Sequence, residues 1–184
     1  MWAITNICCP CFTICCSMAD TRYRDFVLHQ KHVPRTALAQ HVKALRVQRR
    51  VIGFTNGCFD ILHPGHLELL YFAKSRCDLL FVALNSDAGI RRLKGGNRPV
   101  FPLEHRLLMV GGYGFVDFVL SFDEDTPLEL IRLVQPDVLV KGSDWGGRIV
   151  GEDVVRARGG RVIAYPLVQG MSTTGIIARI HALG

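Results

Sequence analysis

Apolar runs of strand length alternate with segments of helical period along residues 51–184, and this alternation predicts an α/β fold. The expected architecture is a single domain built on a doubly wound, parallel, five-stranded sheet, with an N-terminal helical extension. Two further observations agree. The runs Leu79-Leu80-Phe81-Val82-Ala83-Leu84 and Val138-Leu139-Val140 are apolar without interruption, as strands buried on both faces require. A chain of 184 residues, 49% hydrophobic, is long enough for one domain with a real core.

The elements follow in order. Residues 1–20 are expected to form a poorly ordered, cysteine-rich tail, residues 21–49 a helical extension, and residues 50–184 the main domain. Within the extension, 36–48 has amphipathic spacing, with Leu38, Val42, Leu45 and Val47 on the inward face and Thr36 as cap. Strands are predicted at 51–55, 79–84, 116–120, 137–141 and 161–165. Helices are predicted at 65–76, 87–93, 102–112, 127–134, 149–158 and 173–182. Gly159-Gly160 stops a helix before the last strand, while Gly111-Gly112 and Gly114 weaken the end of the 102–112 helix. No internal repeat or low-complexity tract is present.

Charge and cysteine placement exclude several classes. The net charge is +6, but residues 1–50 carry eight basic against two acidic residues, and residues 51–184 carry fourteen of each. A nucleic-acid binder carries its basic footprint on the folded domain, so no nucleic-acid partner is expected. Five of the seven cysteines are Cys8, Cys9, Cys11, Cys15 and Cys16, and the others, Cys58 and Cys77, are isolated. That is neither a dispersed disulfide framework nor the paired clips of a zinc site. The first seventeen residues are apolar, lack a basic leader and are too short to span a bilayer; Met18 is the preferred start. A cytoplasmic location without membrane partners is expected, with acylation of the tail thiols left open.

The chemistry concentrates in Thr55-Asn56-Gly57-Cys58-Phe59-Asp60-Ile61-Leu62-His63-Pro64-Gly65-His66. The segment lies where a buried strand hands over to a helix, a natural phosphate site, because free N–H groups and the positive end of the helix dipole point there. Pro64 suits the first helical turn, and His63 and His66, three apart, share one side of it. Asn85 and Lys141 fall at strand ends and Ser172-Thr173 at a helix start, so these motifs converge on the ligand-binding edge of an open α/β sheet.

These motifs resemble the HxGH nucleotidylyltransferase superfamily, with its Rossmann-like fold. From about residue 50 to 181 the chain is similar to the adenylyltransferase domains of the ADP-heptose synthases. The resemblance covers 55–66, Val82-Ala83-Leu84-Asn85-Ser86-Asp87, Arg92-Leu93-Lys94-Gly95, Arg98-Pro99-Val100, Leu139-Val140-Lys141-Gly142-Ser143-Asp144-Trp145 and Ser172-Thr173-Thr174. It implies transfer of AMP from ATP to a sugar 1-phosphate, D-glycero-β-D-manno-heptose 1-phosphate in that family, with release of pyrophosphate. Mg²⁺ would travel with the ATP and no metal site is expected from the protein alone. A homodimer is the expected assembly.

By the same resemblance, His63, His66 and Lys94 are the catalytic candidates. Thr55, Asn56, Gly57, Cys58, Phe59, Gly65, Lys141, Ser172 and Thr173 are nucleotide-binding candidates. Asp60, Asn85, Arg98, Arg106, Asp144 and Trp145 are candidates for substrate contact. Several keep a second reading on the residues alone. Asp60 caps or orients its turn, Arg106 pairs with Glu104 or Asp117 at the surface, Trp145 packs in the core, and Ser172 is an ordinary N-cap.

The rivals to that resemblance are the glycerol-3-phosphate and ethanolamine-phosphate cytidylyltransferases, which share HxGH and the closing Ser-Thr-Thr. They place Arg-Thr-x-Gly before the closing Ser-Thr-Thr, where this chain has Leu167-Val168-Gln169-Gly170. The missing arginine favours ATP over CTP. Trp145, where the heptose enzymes more often carry tyrosine, and the glycine-rich Gly146–Gly151 depart from the family and leave the sugar open. There is no room here for the sugar kinase domain of the bifunctional synthases, so a separate kinase would supply the sugar phosphate. A non-catalytic nucleotide-binding module and an interaction protein acting through the cysteine-rich N-terminus remain as readings of other classes.

Overall fold

The structure, a computed structural model, describes residues 23–143, 148–166, 168 and 170–183. The expectations for residues 1–20, Asp144 and Trp145 lie outside the described residues. In chain order the elements are α1 (Tyr23–Gln30), α2 (Arg35–Val47), β1 (Ile52–Gly57), α3 (Pro64–Lys74), β2 (Leu79–Asn85), α4 (Asp87–Lys94) and α5 (Leu103–Gly111). There follow β3 (Phe118–Phe122), α6 (Leu128–Val134), β4 (Val138–Gly142), α7 (Glu152–Ala157), β5 (Arg161–Tyr165) and α8 (Thr173–His181). All strand pairings are parallel, in the order β3-β2-β1-β4-β5. This is the predicted five-stranded α/β sheet, and the strand order reverses between β1 and β4.

The alternation of each strand divides the core into two layers. Phe54, Phe81, Ala83 and Leu139 pack with Leu38 and Val42 of α2 and with Leu130, Ile131 and Val134 of α6. Leu80, Val82, Leu84, Val138 and Val140 pack with Leu70 and Ala73 of α3 and with Leu107 and Val110 of α5. The residues before β1 join this core. Lys31 and Val33 exchange backbone hydrogen bonds with Val119 of β3, at 2.9 and 3.1 Å, and cover that edge of the sheet.

Most boundaries shift by one to three residues from the sequence reading, and three of the shifts have a clear local cause or consequence. β1 runs on to Gly57, so Asn56 and Gly57 are strand residues and the turn begins at Cys58. β3 starts at Phe118, two residues later than predicted, because Val116 is buried in a turn closed by its N–H to Tyr113 O at 3.0 Å. α7 begins at Glu152, since Gly151 is in the left-handed region (φ 83°) and ends the preceding loop. α1 falls within the predicted extension but on a segment whose pattern had not marked a helix. Gly111 and Gly112 make room for it: a Cβ on either would run into Val27 or Tyr23 of α1.

Candidate active site

The carboxyl ends of β1, β2 and β4 carry the residues singled out above. His63 is the N-cap of α3 in extended conformation (φ −144°, ψ 166°), and its carbonyl accepts the His66 N–H at 2.9 Å. The two imidazoles therefore stack over the first turn, with ring centroids 3.9 Å apart and planes 26° from parallel. Both Nδ1 atoms are buried without a hydrogen-bond partner. Burial, reinforced by His63, lowers the His66 pKa from 6.5 to about 4, and burial lowers that of His63 as well. At neutral pH both rings are neutral, each offering one N–H donor.

The two glycines of the motif serve these rings. A Cβ on Gly65 would stand 3.1 Å from the His63 ring and 3.6 Å from Cβ of Met171. The backbone just ahead of α8 thus lies against the start of α3, and two helix N-termini meet at the site. Ser172 caps α8, its Oγ accepting the Gly175 N–H at 3.0 Å, and Thr173 opens the helix. Gly57 makes room within the chain: a Cβ there would meet the Phe59 ring at 3.2 Å. Phe59 itself takes a left-handed backbone (φ 47°) and packs its buried ring on His66, 5.3 Å between centroids.

Cations converge on the end of β1. Burial raises the Cys58 thiol pKa, against the opposing fields of Lys94, Arg106, Lys141 and Arg98, in that order. Lys141 reaches across the switch point to donate to Asn56 O at 2.9 Å. Lys94 is exposed and closes the last turn of α4, not a free loop as its glycine neighbours suggested. Such a field suits a polyanion.

Other expected ligands turn inward. Arg106 is wholly buried: Nη1 donates to Cys58 O at 2.7 Å and Asn85 O at 2.8 Å, Nε to Phe101 O at 3.0 Å, and Nη2 to Asp87 at 2.7 Å. Four protein acceptors hold it in the interior, so it does not form the surface pair with Glu104 or Asp117. Asp60 is also buried, but it accepts from Arg98, Val100 and Phe101 instead of from its own turn. Arg98 is correspondingly tied to Asp60, Nε to Oδ2 at 2.7 Å. Asn85 is buried, with Oδ1 4.0 Å from Cys58 Sγ. Thr55 lies two residues before the end of β1, buried, its Oγ1 without a partner. The sequence reading missed Asp87, which steadies Arg106; its place at the start of a helix after a strand was the available signal.

Among the described residues, no group of three or more His, Cys, Asp or Glu is arranged to hold a metal ion. Likewise no described helix is long and apolar enough to cross a membrane.

Comparison with known proteins agrees with this geometry. The bifunctional protein HldE of Gluconacetobacter diazotrophicus is 54% identical over 151 residues, which cover 82% of this chain and 31% of the relative. That of Mesorhizobium japonicum is 47% identical over 167 residues, 90% of this chain and 33% of the relative. The chain thus spans about a third of the length of these relatives. Among solved structures, the lipopolysaccharide core biosynthesis protein of Thermoplasma volcanium aligns at TM-score 0.54 and 25% identity, over 65% of this chain and 97% of that one. A pantoate–β-alanine ligase from Francisella tularensis, at TM-score 0.53 and 13% identity over 82% of this chain and 76% of that one, shares the fold. The cytidylyltransferase-like family matches residues 54–179, the span holding the stacked histidines, the converging cations and the capped α8, and the chain belongs to that family of nucleotidyltransferases.

Proposed function

We propose that this chain transfers AMP from ATP to a sugar 1-phosphate, releasing pyrophosphate, with a heptose 1-phosphate as the sugar substrate. The observation that carries the reading is the neutral His63–His66 stack at the N-terminus of α3, together with the cationic field of Lys94 and Lys141 at the end of β1, Arg98 and Arg106 being held on Asp60 and Asp87. An oxygen of the sugar phosphate attacks the α-phosphorus of ATP; its new P–O bond forms as the bond to the bridging oxygen breaks, and the electron pair leaves with pyrophosphate. Such chemistry asks for alignment and charge stabilisation rather than a covalent nucleophile. His63 and His66 donate N–H groups to the oxygens that gain charge. The free N–H groups of the α3 and α8 N-termini hold phosphate oxygens, and Lys94 and Lys141 neutralise the polyanion.

Mg²⁺, arriving on the triphosphate, would add charge neutralisation there. The donor set fits that route, being rich in N–H groups and cations, with no carboxylate cage among the described residues. ATP is favoured over CTP by the absence of an arginine before Ser172, where Leu167-Val168-Gln169-Gly170 stands. The sugar is favoured by the HldE relatives and the lipopolysaccharide core biosynthesis neighbour. A homodimer in the cytoplasm is the working assembly. The test is pyrophosphate release with each of four nucleoside triphosphates against a panel of sugar 1-phosphates. ATP with a heptose 1-phosphate is expected to give the highest kcat/KM. Release with CTP and glycerol 3-phosphate alone would replace this reading with the cytidylyltransferase one.

A further inference from the structure

One carboxylate beside the histidines is spent entirely on the protein. Asp60 is 1% exposed and precedes His63 by three residues. Its oxygens reach the segment after α4: Arg98 Nε donates at 2.7 Å, Val100 N–H at 2.9 Å and Phe101 N–H at 2.9 Å. Burial alone would raise the Asp60 carboxyl, yet the Phe101 and Val100 N–H groups and Arg98 outweigh it and hold it below the usual carboxylate range. Phe101 is gripped from its other side too. Arg106 Nε donates to its carbonyl at 3.0 Å while Nη1 donates to Cys58 O at 2.7 Å. One residue of the segment is therefore clamped on both sides, the Phe101 N–H to Asp60 directly and its C=O to Cys58 through Arg106.

The other end of the segment is α4, anchored by Ser86, whose Oγ accepts the Gly89 N–H at 2.9 Å, and by Arg92, which pairs with Asp125 at 3.0 Å. Between the anchors lie Lys94, Gly95, Gly96 and Asn97, all exposed, and nothing stands within 4 Å of where a Cβ on either glycine would sit. Glycines in open space give this stretch the most conformational freedom in the segment. The clamp is what limits it.

We propose, on the nucleotidyl-transfer reading above, that Asp60 is a positioning residue that holds the Arg98–Phe101 segment on the histidine turn, so that Lys94 and the His63–His66 pair reach the same triphosphate. Misplacing a charged donor by about an ångström is enough to cost on the order of a hundredfold in rate. The clamp acts through Lys94 and does not touch substrate.

The test uses the full chain in two readouts. Asp60→Asn keeps the size of the side chain but presents an NH₂ group where an oxygen must accept. First, trypsin cleavage after Lys94 is followed without substrate, and is expected to run at least about fivefold faster in Asp60→Asn than in wild type, as a released segment opens more often. Second, pyrophosphate release is measured for wild type, Asp60→Asn, Lys94→Ala and the double variant. Asp60→Asn is expected to lower kcat roughly 10- to 100-fold with the ATP KM within about threefold. In the Lys94→Ala background it is expected to cost less than about threefold more, because the residue it positions is gone. Cleavage at the wild-type rate, or effects that multiply in the double variant, would overturn the proposal. If Asp60→Asn shows no cooperative unfolding transition, Arg98→Lys, which keeps the charge and loses the Nε donor, replaces it in the same measurements. A wild-type protein that releases no pyrophosphate from any pair overturns the nucleotidyl-transfer reading and the catalytic half of this proposal, while the cleavage rates still decide whether Asp60 restrains the segment.

Discussion

His66 stands four residues before Leu70 and seven before Ala73, both fully buried, so its ring begins the apolar stripe by which α3 packs on the sheet. That placement makes it a neutral donor instead of a cation. In NMR titration of the free protein, its ring protons are expected to shift with a midpoint near pH 4. Bound ATP should move that midpoint upward, because phosphate charge favours the imidazolium. A midpoint near 6.5 without ATP would contradict the burial. His66→Ala is expected to lower turnover by roughly 10²–10³, the usual cost of one preorganised donor, while the unfolding transition stays cooperative. The histidines were legible because their spacing is local and the turn between them is short. Arg106 and Asp60 were not, because a charged residue reads as solvent-facing or ligand-facing until its partners are known. For Arg106 the partners are main-chain carbonyls as far away as Cys58, 48 residues off.

At the scale of elements, the two ends of the sheet are finished differently. At the amino ends, Asp78 accepts the Val51 N–H at 2.8 Å, Asp117 the Leu80 N–H at 2.7 Å and Asp137 the Ile52 N–H at 2.8 Å. Each carboxylate satisfies a backbone donor with no ladder partner, and Asp117 and Asp137 also pair with Lys74 and Arg46. The carboxyl ends lead instead into the N-termini of α3 and α4. The continuously apolar β2 and β4 were readable directly. β3 was displaced because Val116 is apolar and buried yet outside the ladder, and hydrophobicity alone does not separate those cases. α1 was invisible to periodicity, since Val27 is its one buried residue. Its docking depends instead on the glycines of α5. Gly111→Ala is therefore expected to destabilise the protein by about 1–3 kcal/mol, as overpacking does, with ATP affinity unchanged, in urea unfolding and equilibrium binding respectively. A variant as stable as wild type would mean that α1 shifts without cost.

Across the whole molecule, the order β3-β2-β1-β4-β5 places the switch point where Lys141 bridges to Asn56, and the burial that builds the site also sets the pH range of the fold. Burial lowers His32, His41, His63 and His66 from 6.5. In the unfolded chain these rings bind protons as pH falls below 6.5, whereas the folded protein leaves them neutral. The unfolded state then holds more protons, and stability falls with pH, for His66 across the interval from 6.5 to about 4. Asp60 adds to the loss only further down, as its carboxyl protonates below its usual range. On the alkaline side, Cys77 is packed against Gly53, and burial raises its thiol from 9.0 to about 11. There the unfolded chain releases a proton the folded one retains, so stability falls again as pH rises from 9.0 towards 11. The unfolding temperature is expected to form a plateau between about pH 7 and 9, dropping at pH 5 and at pH 10.5. Cys77→Ser should remove much of the alkaline limb and leave the acid limb in place. Calorimetry across that range checks both limbs, and an unfolding temperature at pH 5 equal to that at pH 7.5 would show that the histidines are not held neutral by the fold.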